Sequence, residues 1–321
     1  MLKQLKNQAR VKVRIEPVDP LLIKSGQATV GGTDMTFVRT YRSGEAEPYL
    51  PGSSLKGVIR SYCEKICRSL RPENLPVCLP YIGPDKQDIS SDERKQISCG
   101  LNLTKWEKQT NKNVSSCEAF NVSCPACRMF GSLKFTGRCS VSDAYALNKP
   151  LLEKRDGVAI DRVTGGAASG AKYDLEVLTK GSFEANIDIR NFERWQLGLL
   201  GLVLRDMRDG LVRLGSAKSR GLGRFTAEIS SFSVEYYNWE PTSLVGLYVQ
   251  SSDEERKRYG FFLELENQNS KLGQFHRKGL RYVCDITKDW EEILEPGVQD
   301  FLEYVKAVKW PEKLNQFVQR R

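Results

Sequence analysis

The sequence predicts an α+β protein, and three stretches carry that prediction. Near the N-terminus "ARVKVRIEPV" alternates apolar and basic residues at period two, the pattern of a half-buried strand. A helix follows a short way on, in "PYLPGSSLKGVIRSYCEKICRSL", where Leu55, Val58, Ile59, Tyr62 and Ile66 recur at helical spacing. The pairing then repeats: the strand-like run "SFEANIDI" leads into "FERWQLGLLGLVLRDMRDG", a strongly apolar second helix.

The connecting segments fall into place around these. Between the first strand and helix lies a polar loop, "SGQATVGGTDMTFVRT", with Gly31 and Gly32 leading into Thr33 and Asp34. Pro51-Gly52 makes a turn and a serine offers an N-cap to the first helix. Residues 71–130 break the regularity with Pro, Asn, Ser and Cys, including "SSDERKQ" and "TKWEKQTNKN", and read as an insertion. "GRCSVSDAYAL" reads as a returning strand, and residues 155–185 as a long hairpin with a Gly/Ala/Ser tip. A glycine-rich basic loop and an alternating strand, "VRLGSAKSRGLGRFTAEISSFSVEYY", close the unit. Two strand-to-helix passages in one basic unit predict a ferredoxin-like, RRM-like core over residues 1–237. Residues 238–321 are expected to form a separate C-terminal extension, helical over "WEEILEPGVQDFLEYVKAVKW".

Composition narrows the class. With 321 residues, 40% hydrophobic and 28% charged, the chain is long enough for one large core and is not a disordered polymer. No apolar run reaches the roughly 18 residues a membrane helix needs, and the first residues do not read as an export signal, so a cytoplasmic location is expected. Residues 241–321 hold 13 basic and 13 acidic side chains, which leaves the whole net charge of +9 in the first 240. A basic surface confined to one part of a chain is the footprint of a nucleic-acid binder; a merely basic soluble enzyme is the plainer alternative.

Nine cysteines in a reducing compartment point to metal rather than disulfides. "CEAFNVSCPAC" places Cys117, Cys124 and Cys127 in one stretch, and its CPAC core aims two thiolates at one ion, so a structural Zn2+ is expected. Cys99 is the first choice for the fourth ligand and Cys78 the second. Cys63 and Cys67, at i and i+4 on the first helix, read as buried free thiols, as do Cys139 and Cys284; the single histidine, His276, lies far off. Scattered free cysteines remain the alternative. In "LGSAKSRGLGRF", Gly215, Gly221 and Gly223 permit close backbone approach to a ligand, with Lys218, Arg220 and Arg224 as phosphate-binding cations. A solvated turn is the alternative there. In "PGSSLKGVIR", Ser53 and Ser54 with the helix N-terminus make an anion site beside Lys56 and Arg60, one turn apart; simple capping explains the same residues.

Taken in order, "GGTD", "LPGSSLKGVIRS", "CRMFGS", "AIDRVTGG" and "LGSAKSRGLGRF" resemble the RAMP superfamily of CRISPR-associated proteins over residues 10–237. More narrowly the chain is similar to the backbone subunit of type III effector complexes, and its insertion and extension hint at the type III-D branch. The resemblance implies a subunit that lies along a CRISPR guide RNA beside other RAMP subunits, contacts the large signature subunit and a cap subunit, and does not involve a membrane. It implies that the hairpin is a thumb wedged into the guide, with Arg162 on the RNA backbone and Val163 and Thr164 as wedge residues; Asp161 reads as an ion-pair partner of Arg162. Related insertions in the superfamily carry zinc.

The resemblance also gives a role to Asp34, since the aspartate on this loop cuts target RNA paired to the guide in the subunits resembled. RNA cleavage needs in-line geometry, removal of the 2'-hydroxyl proton and stabilised phosphate charge. No histidine lies in the first 240 residues, so Asp34 is the candidate, orienting the 2'-hydroxyl or holding Mg2+ or Mn2+, with Arg39 and Arg42 near the phosphate. A plain turn aspartate is the alternative. Three functions stand: a guide-RNA-binding subunit that is also a metal-dependent endoribonuclease acting on complementary target RNA, a non-catalytic structural RNA-binding subunit, and a guide-processing endoribonuclease.

Overall fold

The computed structural model describes residues 3–26, 33–42, 44–71, 75–79, 98–265 and 271–319. Gly31 and Gly32 of the polar loop, and the "SSDERKQ" stretch of the insertion, lie outside these residues.

β1 (Asn7–Pro17) is the middle of the main sheet, and its sequence shows why. Ala9, Val11, Val13 and Ile15 are buried on one face while Arg10 and Arg14 stay exposed on the other, as period two requires. The short hairpin β2 (Arg39–Arg42) and β3 (Glu45–Pro48) precedes α1 (Gly52–Leu70). The inserted helices α2 (Cys99–Thr110), α3 (Ser116–Val122) and α4 (Pro125–Phe130) come next. Short strands follow: β4 (Gly131–Ser132), β5 (Phe135–Thr136), β6 (Cys139–Val141) and β7 (Tyr145–Ala146). The hairpin is β8 (Leu151–Ile160) and β9 (Ala167–Lys180), and β10 (Phe183–Arg190) returns to the sheet. α5 (Arg194–Arg208) leads through the glycine-rich loop to β11 (Phe225–Tyr237). The last part holds α6 (Asp253–Tyr259), β12 (His276–Lys278), β13 (Arg281–Asp285), α7 (Trp290–Ala307) and α8 (Glu312–Gln319).

The sheet runs β12-β13-β11-β1-β10-β6, every pairing antiparallel, with β7 also on β10. α1 connects β1 to β6 by way of the insertion, and α5 connects β10 to β11. The other face of the sheet is a lattice of charges: Arg10 meets Glu235 at 3.0 Å and Lys12 meets Glu184 at 3.2 Å. Arg10 and Lys12 stay about half exposed in these pairs, where an ion pair contributes little stability.

Residues 238–319 are not a separate appendage. β13 pairs with β11, which carries the sheet past the expected boundary, and α7 packs along α5 within the common core. The crossing depends on two glycines. A Cβ at Gly198 would lie 2.0 Å from the carbonyl oxygen of Gly297, so no side chain fits between the two backbones. Arg194 fastens the same pair of helices, donating from Nε to Asp300 Oδ2 at 2.6 Å and from Nη2 to Oδ1 at 3.0 Å, all buried. Truncation before residue 240 therefore removes part of the core. Among the described residues no helix is long and apolar enough to cross a membrane.

Candidate functional site

The insertion folds around four thiols. Cys99 opens α2, Cys124 caps the start of α4, Cys127 sits in its first turn, and Cys78 arrives from the segment after α1. Their sulfurs all lie within 4.8 Å of one another, and all four residues are buried. The expected ligand Cys117 is not among them; Cys78 takes its place. α3 separates Cys117 from the CPAC turn and seats it beside Ser115 Oγ at 3.1 Å. Burial pushes the Cys117 thiol up, but the Ser115 hydroxyl and Arg258 more than offset that and hold it below its ordinary value. Zinc–sulfur bonds of about 2.3 Å put the corners of a tetrahedron about 3.8 Å apart, and Cys78 Sγ already lies 3.4 Å from Cys127 Sγ. The set is all sulfur, buried and closed, which is the chemistry of a structural zinc site with no open coordination position.

Burial drives Cys99 and Cys124 far above the usual thiol range, while Cys78, accepting hydrogen bonds from Cys124, Cys127 and Cys99, is driven far below it. Arg60 completes the surroundings. Its Nε donates to Glu64 at 3.0 Å, Nη1 to the Gly131 carbonyl at 3.3 Å and Nη2 to Cys127 Sγ at 3.5 Å. Burial lowers its pKa, yet the charge of Cys127 and the bond to Glu64 raise it further. Arg60 thus serves the thiol cluster, a correction to its reading as an RNA-facing cation. Lys56, one turn earlier, stays half-exposed. The α1 N-terminus is not an open anion site either, because Asp143 Oδ1 accepts from Gly52 N at 2.7 Å.

A second constellation forms along β9. Asp34 is exposed, and its Oδ2 accepts from the backbone N–H of Asp174 at 3.0 Å, while its own N–H donates to Asp174 Oδ1 at 2.7 Å. Met35 and Glu176 continue the contact: Met35 N donates to the Asp174 carbonyl and Glu176 N to the Met35 carbonyl. Arg39, expected near a phosphate, is held bidentate by Glu176 at 2.6 and 2.8 Å. Arg42 lies over the Tyr145 ring, 4.1 Å from its centroid, and pairs with Glu47. Beside Asp34 an open groove of about 640 Å3 is lined by Lys154, Asp156, Lys172, Tyr173 and Asp174. Lys154 pairs with Asp174, and Lys172 with Asp156 at 3.5 Å.

The glycine-rich loop reaches the same strand. Arg220 donates from Nη1 to the Tyr173 hydroxyl at 2.8 Å. Lys218 is exposed, and its pKa is lowered by partial desolvation and by the like charge of Lys65 on α1. Arg224 is taken by Asp19, at 3.2 Å. Two of the glycines serve the fold rather than a ligand. At φ +84° Gly215 brings its Cα so near Leu22 that a Cβ would lie 2.3 Å from the Leu22 carbonyl oxygen, and at Gly223 a Cβ would lie 2.6 Å from that of Leu214. Gly221, at φ +79°, has open space around it.

At the far end of the hairpin Arg162, Val163 and Thr164 are exposed, Val163 at 95%. Asp161 does not pair with Arg162; its Oδ1 accepts from the N–H groups of Val163 and Thr164 at 2.7 and 3.1 Å and shapes the turn that lifts Val163 outward. Sequence reasoning missed Tyr173 and Asp174, because nothing in an alternating strand marks which positions will receive loops from elsewhere.

No curated protein matches the chain at a significant level. The profile of the RAMP superfamily matches residues 14–226, from the first strand to the start of β11 and so across the thiol cluster, the hairpin and the glycine-rich loop; the chain belongs to the RAMP superfamily of CRISPR-associated proteins.

Proposed function

We propose that the chain is the guide-RNA-binding backbone subunit of a type III CRISPR effector complex and that it cleaves complementary target RNA at the Asp34 groove. The observation that carries this reading is a convergence on two residues: Asp34 bonds to Asp174 while Arg220 bonds to Tyr173. A candidate cutting carboxylate and a candidate phosphate-binding loop, 186 positions apart, are thus held by adjacent residues of one strand. On this reading the β11-β1-β10-β6 order, with α1 and α5 as the crossovers, is a ferredoxin-like core. The β8–β9 hairpin is the thumb, and Val163, held out by the Asp161 turn, is its wedge. Lys56, Arg162, Lys218, Arg220 and Arg224 carry the guide backbone, Arg224 after leaving its exposed pair with Asp19; Arg60 does not, since Glu64 and Cys127 engage it.

In cleavage the 2'-hydroxyl oxygen bonds to the adjacent phosphorus as the P–O5' bond breaks; one proton leaves the 2'-oxygen and one reaches the 5'-oxygen. Asp34 is placed to orient the 2'-hydroxyl. Lys154 and Lys172 neutralise the phosphate, at small cost, because the lysine partner in each ion pair is 62% or 72% exposed. Asp34, Asp156 and Asp174 line the groove, and a Mg2+ or Mn2+ ion held there would take one or two of these carboxylates and draw its other ligands from water and the substrate phosphate.

A second reading, a non-catalytic scaffold, has one specific observation behind it. The reciprocal Asp34–Asp174 bonds fasten the loop to the hairpin whatever the chemistry. Reconstituted complex with guide and end-labelled target separates the two. Asp34→Ala should abolish cuts while target affinity stays within about twofold; undiminished cutting would leave the scaffold reading standing.

A further inference from the structure

Away from both sites, and wholly outside residues 14–226, a groove of about 730 Å3 opens between the N-terminal arm, the end of β11 and the turn joining β12 to β13. Lys3, Leu5, Tyr237, Trp239, Val249 and Leu280 stand along it, and Leu5, Trp239, Val249 and Leu280 are between 40% and 64% exposed. Large apolar side chains scattered singly need no explanation, but four gathered in one groove mark an interaction site. Of the five tryptophans only Trp239 is open to solvent; Trp106, Trp195, Trp290 and Trp310 are buried. Its ring meets Tyr236 edge-on, with the centroids 5.9 Å apart.

The walls are fixed in place. Asn191 Oδ1 accepts from Lys6 N and its Nδ2 donates to the Gln4 carbonyl, both at 2.8 Å. Lys6 Nζ donates to Glu255 at 2.6 Å, and Tyr237 N donates to the Lys6 carbonyl at 3.0 Å. On the other side Asn238 N donates to the Leu280 carbonyl at 2.9 Å.

Charge selects the occupant. The even balance of residues 241–321 hides a segregation: residues 271–284 hold four basic side chains and none acidic, and residues 1–15 hold five and none. These two segments flank the groove. Lys3 and Lys278 are exposed, and among the described residues neither meets a carboxylate. Glu255 is engaged by Lys6, and Glu235 by Arg10 and Arg281, which leaves Glu240, beside Trp239 in the chain, against them. An open indole between cationic margins suits a nucleobase and its phosphates, because every base has a face to stack and every linkage a negative charge. An apolar protein segment would use the walls and leave the lysines idle.

We propose that this groove binds a segment of single-stranded RNA, with one base stacked on Trp239 and the flanking phosphates on Lys3 and Lys278. The site goes beyond the Asp34 groove and does not rest on it.

Fluorescence titration of the full-length protein with an oligouridylate of about ten nucleotides tests the proposal. Tryptophan emission should be quenched saturably, and an RNA duplex of the same length should not quench it, since its bases are stacked on one another. Trp239→Phe should remove the quench and so assign it. The double variant Lys3→Gln/Lys278→Gln keeps the indole; in it the quench should need about tenfold more RNA, with a salt dependence lower by about two counterions. Both lysines are exposed, so this variant keeps the test open should a change at Trp239 disturb folding. No saturable quench, equal quenching by duplex, a quench that survives Trp239→Phe, or unchanged affinity and salt slope in the lysine variant would each overturn the site. A silent titration with altered sedimentation of the assembled complex in Trp239→Ala would overturn it in favour of a protein partner. The signal is local to Trp239, so cleavage at Asp34 stands or falls separately.

Discussion

The thiol cluster and the Asp34 groove are built on opposite plans. At the first, four buried sulfurs and Arg60 come from the chain's own interior and need only an ion to be complete. At the second, an exposed carboxylate and two exposed lysines are held by half-buried Asp174 and exposed Asp156 in bonds that are easily exchanged. Burial makes the first a contributor to folding, since metal binding to a closed site is folding free energy. Exposure leaves the second open to a partner, which on the proposed reading is RNA.

That contrast breaks most sharply at Cys78. Cys78→Ser should remove bound zinc and with it most of the stability of the thiol subdomain, whereas Cys117→Ser should keep both; zinc content by atomic absorption and thermal melting read the pair. If Cys117→Ser is the variant that loses zinc, the cluster is misassigned. A smaller effect is expected at Arg60→Gln, which leaves Cys127 without its cation and Glu64 with only Arg68, at 3.5 Å. It should cost about 1–3 kcal/mol in denaturant unfolding while guide affinity is unchanged. Loss of RNA affinity with stability intact would return Arg60 to the RNA surface. The smallest stability effect belongs to Arg220→Gln, within about 0.5 kcal/mol, because the side chain is exposed. Its signature is instead in guide binding, where affinity should fall and the salt dependence should drop by about one counterion; an unchanged salt slope would take Arg220 off the RNA.

The regular elements were legible because burial writes itself into periodicity. β1, α1, α5, β11 and α7 all lie where alternation or helical spacing puts them. The CPAC turn was legible for the same reason, two ligands in one local geometry. Cys78 was legible only as a second choice, since a ligand 46 positions from Cys124 is chosen by how α1 and the insertion pack. Cys117 misled because nearness in sequence counts for little once a helix turns a side chain away. Cations were legible as a population and not one by one: Arg39 and Arg60 look like phosphate ligands until Glu176 and Cys127 are seen to hold them. The C-terminal part looked separate because its charge is balanced, whereas its membership in the core is decided by Gly198 meeting Gly297, a contact no composition reveals.

The central place of β1 governs how the chain must be made. Both of its neighbours, β10 and β11, are encoded after residue 182, and among the described residues no strand made earlier pairs with it. At about 5–20 residues per second, a ribosome leaves this strand without partners for on the order of ten to thirty seconds. Val11, Val13 and Ile15 spend that interval exposed on a strand with two open edges, the most aggregation-prone state such a segment can occupy. The alternating Arg10, Lys12 and Arg14 then act before any fold exists, as charges that keep one nascent chain from pairing with another.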